Sequence, residues 1–250
     1  MNFRVLNVIS AVLISVTLAG CNNPGAGHDP ALAFDPFEER NRNNHELNKS
    51  IDRAVVRPAG NGYVKIIPKP VQKGVSNFSA NLGMPSLVVN NLLQGRIGDA
   101  GKNTLRFALN TTIGLGGLVD AAGEFKLEEA DTDFGETLHV WGVREGAYVE
   151  LPVLGPSTER DAVGKVVDLF TNPLSYVLPS PEKYIGTGAS LAARLGDRGT
   201  YADTLDALLY ESADSYSQAR AIYIQNRRFE LGEDAAEVES DPFDLNTEGF

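Results

Sequence analysis

Four side chains at one-face helical spacing, Tyr216, Arg220, Tyr223 and Arg227, make the most chemically loaded stretch of this 250-residue chain. A tyrosine and arginine stripe can hold a phosphate, because a guanidinium offers a fork of donors to paired oxygens. Turned inward, the same stripe ties elements together, and that is the reading preferred here. The other constellations carry less. His28, His45 and His139 lie far apart, with no cysteine or paired carboxylate at ligand spacing, so no metal site is expected. No Gly-x-Ser-x-Gly turn is present. Ser157, His139 and Asp161 could form a nucleophilic trio, but Ser157 and Asp161 stand where a helix start needs capping residues. The carboxylates are scattered, with no pair of the glycosidase kind. Gly114, Gly116 and Gly117, within IGLGGLVDAAG (113–123), imitate a dinucleotide loop. Such a loop needs a preceding strand, and a polar helical stretch stands there instead. A hinge or a close backbone approach accounts better for these glycines. No catalytic residue is assigned, and neither an enzyme nor a cofactor is expected.

The single cysteine, Cys21, offers different chemistry. Arg4 and the apolar run Val5–Leu18 precede it. That run is shorter than the roughly 20 residues a bilayer span requires, and it has the form of a secretory signal peptide. Leu-Ala-Gly-Cys at 18–21 resembles the lipobox of bacterial lipoproteins, in which the cysteine receives lipid and becomes the mature N-terminus. Cys21 is thus the expected anchor, carrying covalent lipid. Asn22 follows it, rather than the Asp that retains many lipoproteins at the inner membrane, so the outer membrane, facing the periplasm, is expected.

The elements that position these residues follow from pattern and punctuation. Eight of the 33 acids fall in 230–250, which has no Lys or Arg, and Arg4 is the only charge before Cys21. Residues 21–229 therefore hold 25 acids against 21 bases, which argues against a nucleic-acid surface. The expected organisation is a signal peptide over 1–20, a tether over 21–34, one domain over 35–231 and an acidic disordered tail over 232–250. A first helix capped by Asp35 is predicted to run to about Arg57, ahead of Pro58. Its Arg40–Glu46 half is polar all round and should be exposed or line something wet. Pro70 and Pro85 each open a further helix, the latter apolar on several faces. A fourth helix covers about 99–111. Phe134–Val143 and Ala147–Asp161 read as extended, with a strand at Tyr148–Leu151. Ser157 or Thr158 caps a helix to Phe170, another ends at Gly196, and the last two cover about 203–211 and, capped by Asp214, 216–231.

Taken in order, the lipobox, DPFEERNR (35–42), RPAGNGY (57–63), SNFSANLGMPSLVVNNLLQG (76–95), RFALNTTIGLGGLVDAAG (106–123), FGETLHVWGV (134–143), LPVLGPSTERD (151–161) and YESADSYSQARAIYIQNRR (210–228) closely resemble the MlaA (VacJ) family of outer-membrane lipoproteins. The resemblance implies a mainly α, single-domain, ring-like helical bundle with short extended segments, lying in the inner leaflet of the outer membrane. It implies an amphiphilic channel that collects phospholipid from the outer leaflet and passes it to a soluble periplasmic carrier. It further implies a trimeric porin as neighbour and energy from a distant inner-membrane ATPase complex, with no reaction catalysed. Within it, Lys183 matches a stretch that contributes to the channel, and Gly114, Gly116 and Gly117 match a flexible region beside it. One departure is local: Asn43, Asn44, His45 and Glu46 replace the aromatic and aliphatic residues usual in the family's first helix. An anchored scaffold that binds a porin without moving lipid is the alternative, with a lipid hydrolase behind it.

Overall fold

The computed structural model describes residues 34–232. Cys21 and the segments expected as signal peptide (1–20), tether (before Phe34) and acidic disordered tail (after Gly232) lie outside the described residues. The chain forms α1 (Glu38–Ile51), a five-residue π turn (Asp52–Val56), α2 (Arg57–Ile66), α3 (Lys69–Leu93), α4 (Ile97–Thr112) and the short α5 (Ala121–Glu124) and α6 (Phe134–Val140). A hairpin of β1 (Tyr148–Leu151) and β2 (Gly155–Thr158) follows, then α7 (Glu159–Thr171), α8 (Leu174–Val177) and a 3-10 turn (Glu182–Tyr184). The chain continues through α9 (Ile185–Thr200), α10 (Ala202–Asp206), a second π turn (Ala207–Glu211) and α11 (Ser215–Glu230). The mainly α class is as expected.

Several boundaries differ from the sequence reading, each for a physical reason. Pro58 does not end the first helix. The wide π turn just ahead of it makes room for the proline ring, and the helix resumes to Ile66. Pro85 lies inside α3 instead of opening a helix, so α3 runs unbroken for 25 residues, about 37 Å. Asp35 caps nothing; its carboxylate is held by Asn41, Tyr216 and Arg220. Phe134–Val140 is helical, not extended, because the Asp133 side chain accepts from the Glu136 N–H at 2.7 Å and starts a turn. Gly196 stays within α9. The predicted strand Tyr148–Leu151 is present and pairs antiparallel with β2, Tyr148 opposite Thr158 and Leu151 opposite Gly155. Thr158 and Asp214 cap α7 and α11, as read.

Packing between elements closes on itself. α2 lies on α9, α9 on α3, α3 on α7, α7 on β1, β1 on α1, and the first π turn leads from α1 back to α2. At the α2–α9 crossing the backbones nearly touch. A Cβ on Gly199 would lie 2.4 Å from the Gly60 carbonyl, so only glycine fits. α11 packs across the second π turn and β2.

Candidate functional site

The distribution of polarity is inverted. Among the described residues, 19 buried side chains are polar or charged and 10 are hydrophobic, while 30 large hydrophobic side chains are exposed. In water, scattered exposed apolar residues are ordinary, but a polar interior beneath an apolar surface is not. Each buried polar group must then find a partner, because leaving one unpaired costs about 1–3 kcal/mol.

Three hubs supply many of those partners. In the first, asparagines of α1 line the free edge of β1. Asn41 donates to the Tyr148 carbonyl at 3.0 Å and accepts from the Glu150 N–H at 2.9 Å. Asn44 donates to the Glu150 carbonyl at 2.7 Å, and Asn48 bonds the Leu151 carbonyl and the Val153 N–H. The polar half of α1 is therefore not simply wet: Asn41 and His45 are buried, while Asn43 and Glu46 face outward. The second hub is the α11 stripe. Tyr216 and Arg220 bond Asp35, whereas Tyr223 and Arg227 both bond Asp161, and Arg227 also reaches Asp133 at 2.7 Å. Burial pushes the Asp161 carboxyl up, but Arg227, Tyr223 and Arg160 outweigh it and hold it below the ordinary aspartate range. The stripe knits the fold, as the sequence suggested. In the third hub, Arg198 forks onto Asp52 at 2.8 Å and reaches Asp206, which also pairs with Arg57. This joins the first π turn to α9 and α10.

The structure does not assemble the Ser157, His139 and Asp161 trio. Asp161 is committed to Tyr223 and Arg227, and His139 Nδ1 lies 3.3 Å from Arg160. A different trio is present that no local signal announced. His45 Nε2 is 3.0 Å from Ser215 Oγ, and its Nδ1 is 3.4 Å from Glu150. The order serine, histidine, carboxylate imitates a nucleophilic site. Ser215, however, is only 7% exposed and already accepts from Lys49 at 3.2 Å. The trio fastens α1 and β1 to α11.

The glycine segment is tightly built. A Cβ on Gly114 would lie 2.2 Å from the Val119 carbonyl, and one on Gly117, at φ +100°, would lie 2.6 Å from Asn81. Gly116 has φ +76° with open space around it. Asn77 donates to the Leu118 carbonyl at 3.2 Å, and Asn81 donates to Thr111 at 3.1 Å. Two of the three glycines thus serve close approach, the packing alternative raised by the sequence. The apolar residues they display, Ile113 and Leu115, point outward. Lys183 sits in the 3-10 turn before α9, on other elements than the glycines; its side chain is outside the described set.

A single helical domain with a hydrogen-bonded polar interior and an apolar exterior is the construction of a membrane-associated helical protein. The chain belongs to the MlaA lipoprotein family, whose pattern matches residues 33–230. It is 36% identical over 228 residues to the intermembrane phospholipid transport system lipoprotein MlaA of Escherichia coli (strain K12), covering 88% of this chain and 87% of that protein. The protein of the same name from Haemophilus influenzae is 32% identical, with 92% of each chain covered. A solved chain from work on the structural basis for maintenance of bacterial outer membrane lipid asymmetry superposes with a TM-score of 0.67. It is 33% identical and spans 79% of this chain and 98% of its own length.

Proposed function

We propose that this protein carries phospholipid between membranes and so maintains outer-membrane lipid asymmetry. It does so from the inner leaflet of the outer membrane, anchored through lipid on Cys21 after loss of residues 1–20. The observation that carries the reading is the inverted polarity: an apolar skin suits acyl chains, and a polar interior suits a headgroup. The closed circuit of packed elements supplies a frame for an amphiphilic channel through which lipid leaves the outer leaflet toward a soluble periplasmic carrier. A trimeric porin is the neighbour proposed for part of the exposed apolar surface. No helix among the described residues is long and apolar enough to cross a membrane. Immersion in one leaflet, with a lipid anchor, reconciles that with the exposed apolar surface.

The need for such a conduit follows from a magnitude. Exposing a methylene to water costs about 0.8 kcal/mol, so two acyl chains with roughly 30 methylenes resist desorption by about 20 kcal/mol or more. A path that shelters the chains while the phosphate passes polar groups removes most of that barrier. Lys183 is proposed as a positive group beside the path, and the segment holding Gly114, Gly116 and Gly117 as a part that moves next to it. In this reading the protein transports without catalysing a reaction.

Trp141, the only tryptophan, tests the immersion directly. It is 54% exposed, its Nε1 donates to the Leu93 carbonyl at 3.1 Å, and it stands edge-on to Phe134. Adding phospholipid vesicles should shift its emission to the blue, and lipids brominated along the acyl chain should quench it. Emission unchanged by vesicles would place this face in water and remove the main support for the reading.

A further inference from the structure

A cleft of about 390 Å³ opens between the N-terminal part of α3 and the segment that runs from the glycines into α5. Its walls include Lys73 and Asn77 on α3 and Asp120 and Glu124 on the other side. Asp120 is committed through one oxygen, Oδ1, and its charge is matched by Arg106. It accepts from Arg106 at 3.1 Å, from Asn110 at 3.0 Å and from the Gly123 N–H at 3.1 Å. Lys73 and Glu124 are different: both are exposed, and neither forms an ion pair among the described residues, with each other or with any other group. The walls of one cleft thus carry one unpaired cation and one unpaired anion, held more than an ion-pair distance apart. Gly74 and Gly123 contribute no side chain to fill the space. The edge is apolar and open, with Leu118 and Val119 each 49% exposed and Phe125, next to Glu124, 67% exposed.

We infer that this cleft seats a zwitterionic phospholipid headgroup, its phosphate on Lys73 and its ammonium on Glu124, with the acyl chains leaving over Leu118, Val119 and Phe125. The inference rests on the transport reading and narrows it to a headgroup class. A free lysine would attract any lipid phosphate, and it does so as a point charge. Glu124 adds the discrimination: it attracts a headgroup bearing a second, positive charge, gains no such attraction from a neutral far end and repels an anionic one. A metal ion is a poor fit, since Glu124 and the one open oxygen of Asp120, facing the Lys73 ammonium, offer fewer ligands than it needs.

The test uses the full-length acylated protein in detergent, offered vesicles with equal amounts of phosphatidylethanolamine and phosphatidylglycerol, with captured lipid quantified by mass spectrometry. Wild type should enrich phosphatidylethanolamine. Glu124→Gln should lower the ethanolamine-to-glycerol ratio about fivefold, the scale of one exposed ion pair, without lowering total capture. Lys73→Gln should reduce capture of both lipids. Gly74→Ala should narrow the cleft and reduce both as well, and it should fold, because its Cβ would rest at an ordinary 3.6 Å from the Leu118 carbonyl. If wild type captures lipid while all three variants keep its total and its ratio, the cleft is not the seat, and the transport reading stands without it. If wild type captures no phospholipid at all, both fall. Loss of lipid capture on adding free phosphorylethanolamine at equal concentration would assign the cleft to a soluble zwitterion and overturn the lipid assignment.

Discussion

Asn41 completes the edge of β1 beside Glu150: its carboxamide accepts from the Glu150 N–H at 2.9 Å and donates to the Tyr148 carbonyl at 3.0 Å, as a neighbouring strand would. One helical side chain thereby satisfies two buried backbone groups 107 and 109 residues away in sequence. Asn41→Leu keeps the branched outline and removes both bonds, together with the 2.8 Å bond to Asp35. It should destabilise the fold by roughly 2–4 kcal/mol, read as a fall in the denaturant midpoint. Asn43→Leu, on the exposed face two residues on, should change the midpoint little. Equal effects from the two would mean that α1 does not zip β1.

That relationship shows where sequence reading stops. A helix half that is polar all round has no apolar stripe, so its burial cannot be read from periodicity; the partner is a strand edge that exists only after β1 and β2 have paired. The α11 stripe was legible because Tyr216, Arg220, Tyr223 and Arg227 repeat at helical spacing, although not that Asp35 and Asp161 would receive them. Phe134–Val143 misled because Thr137, Val140, Trp141 and Val143 favour strands locally, while one Asp133 cap and the packing of α6 on α7 decide for helix. Prolines 58 and 85 misled in the opposite direction, since tertiary packing holds helices through both.

The pH dependence of stability should follow the hub aspartates. Burial pushes Asp52 and Asp161 up, yet their arginine and tyrosine partners hold both below the ordinary aspartate value of about 4. A carboxyl depressed in the folded state contributes stability above its unfolded pKa and loses it as pH falls through the folded pKa. Asp168, which burial raises, works the other way and contributes less as pH climbs toward neutrality. Melting temperature should therefore hold or rise slightly from pH 7 to 5 and drop steeply below about pH 4. Asp161→Asn should cost roughly 3 kcal/mol at pH 7, leaving Arg227 half-paired, and should soften the acid drop. An acid limb as steep as wild type in that variant would locate the effect elsewhere.

The glycine segment gives an internal comparison. Gly117→Ala meets both a positive φ and Asn81 at 2.6 Å, so it should cost roughly 2 kcal/mol or more. Gly116→Ala meets the unfavourable φ alone and should cost about 1 kcal/mol. Thermal melts of the two, side by side, check the ranking. If the segment must also move during transport, a disulfide tying residues 113–119 to α3 should stop lipid transfer without lowering the melting temperature. Full transfer with a complete crosslink would leave these glycines a packing role only.

If phospholipid leaves the outer leaflet through this protein, the outer-leaflet phospholipid of a strain lacking it reports that passage. That content should rise in the deletion strain and return to normal with wild type, but not with Cys21→Ser, which lacks the thiol proposed to carry the lipid. Lys183→Glu at equal abundance should restore it only in part, and Lys183→Arg nearly in full. Outer-leaflet phospholipid that stays at the parental level when the protein is absent would mean that lipid does not leave by this route.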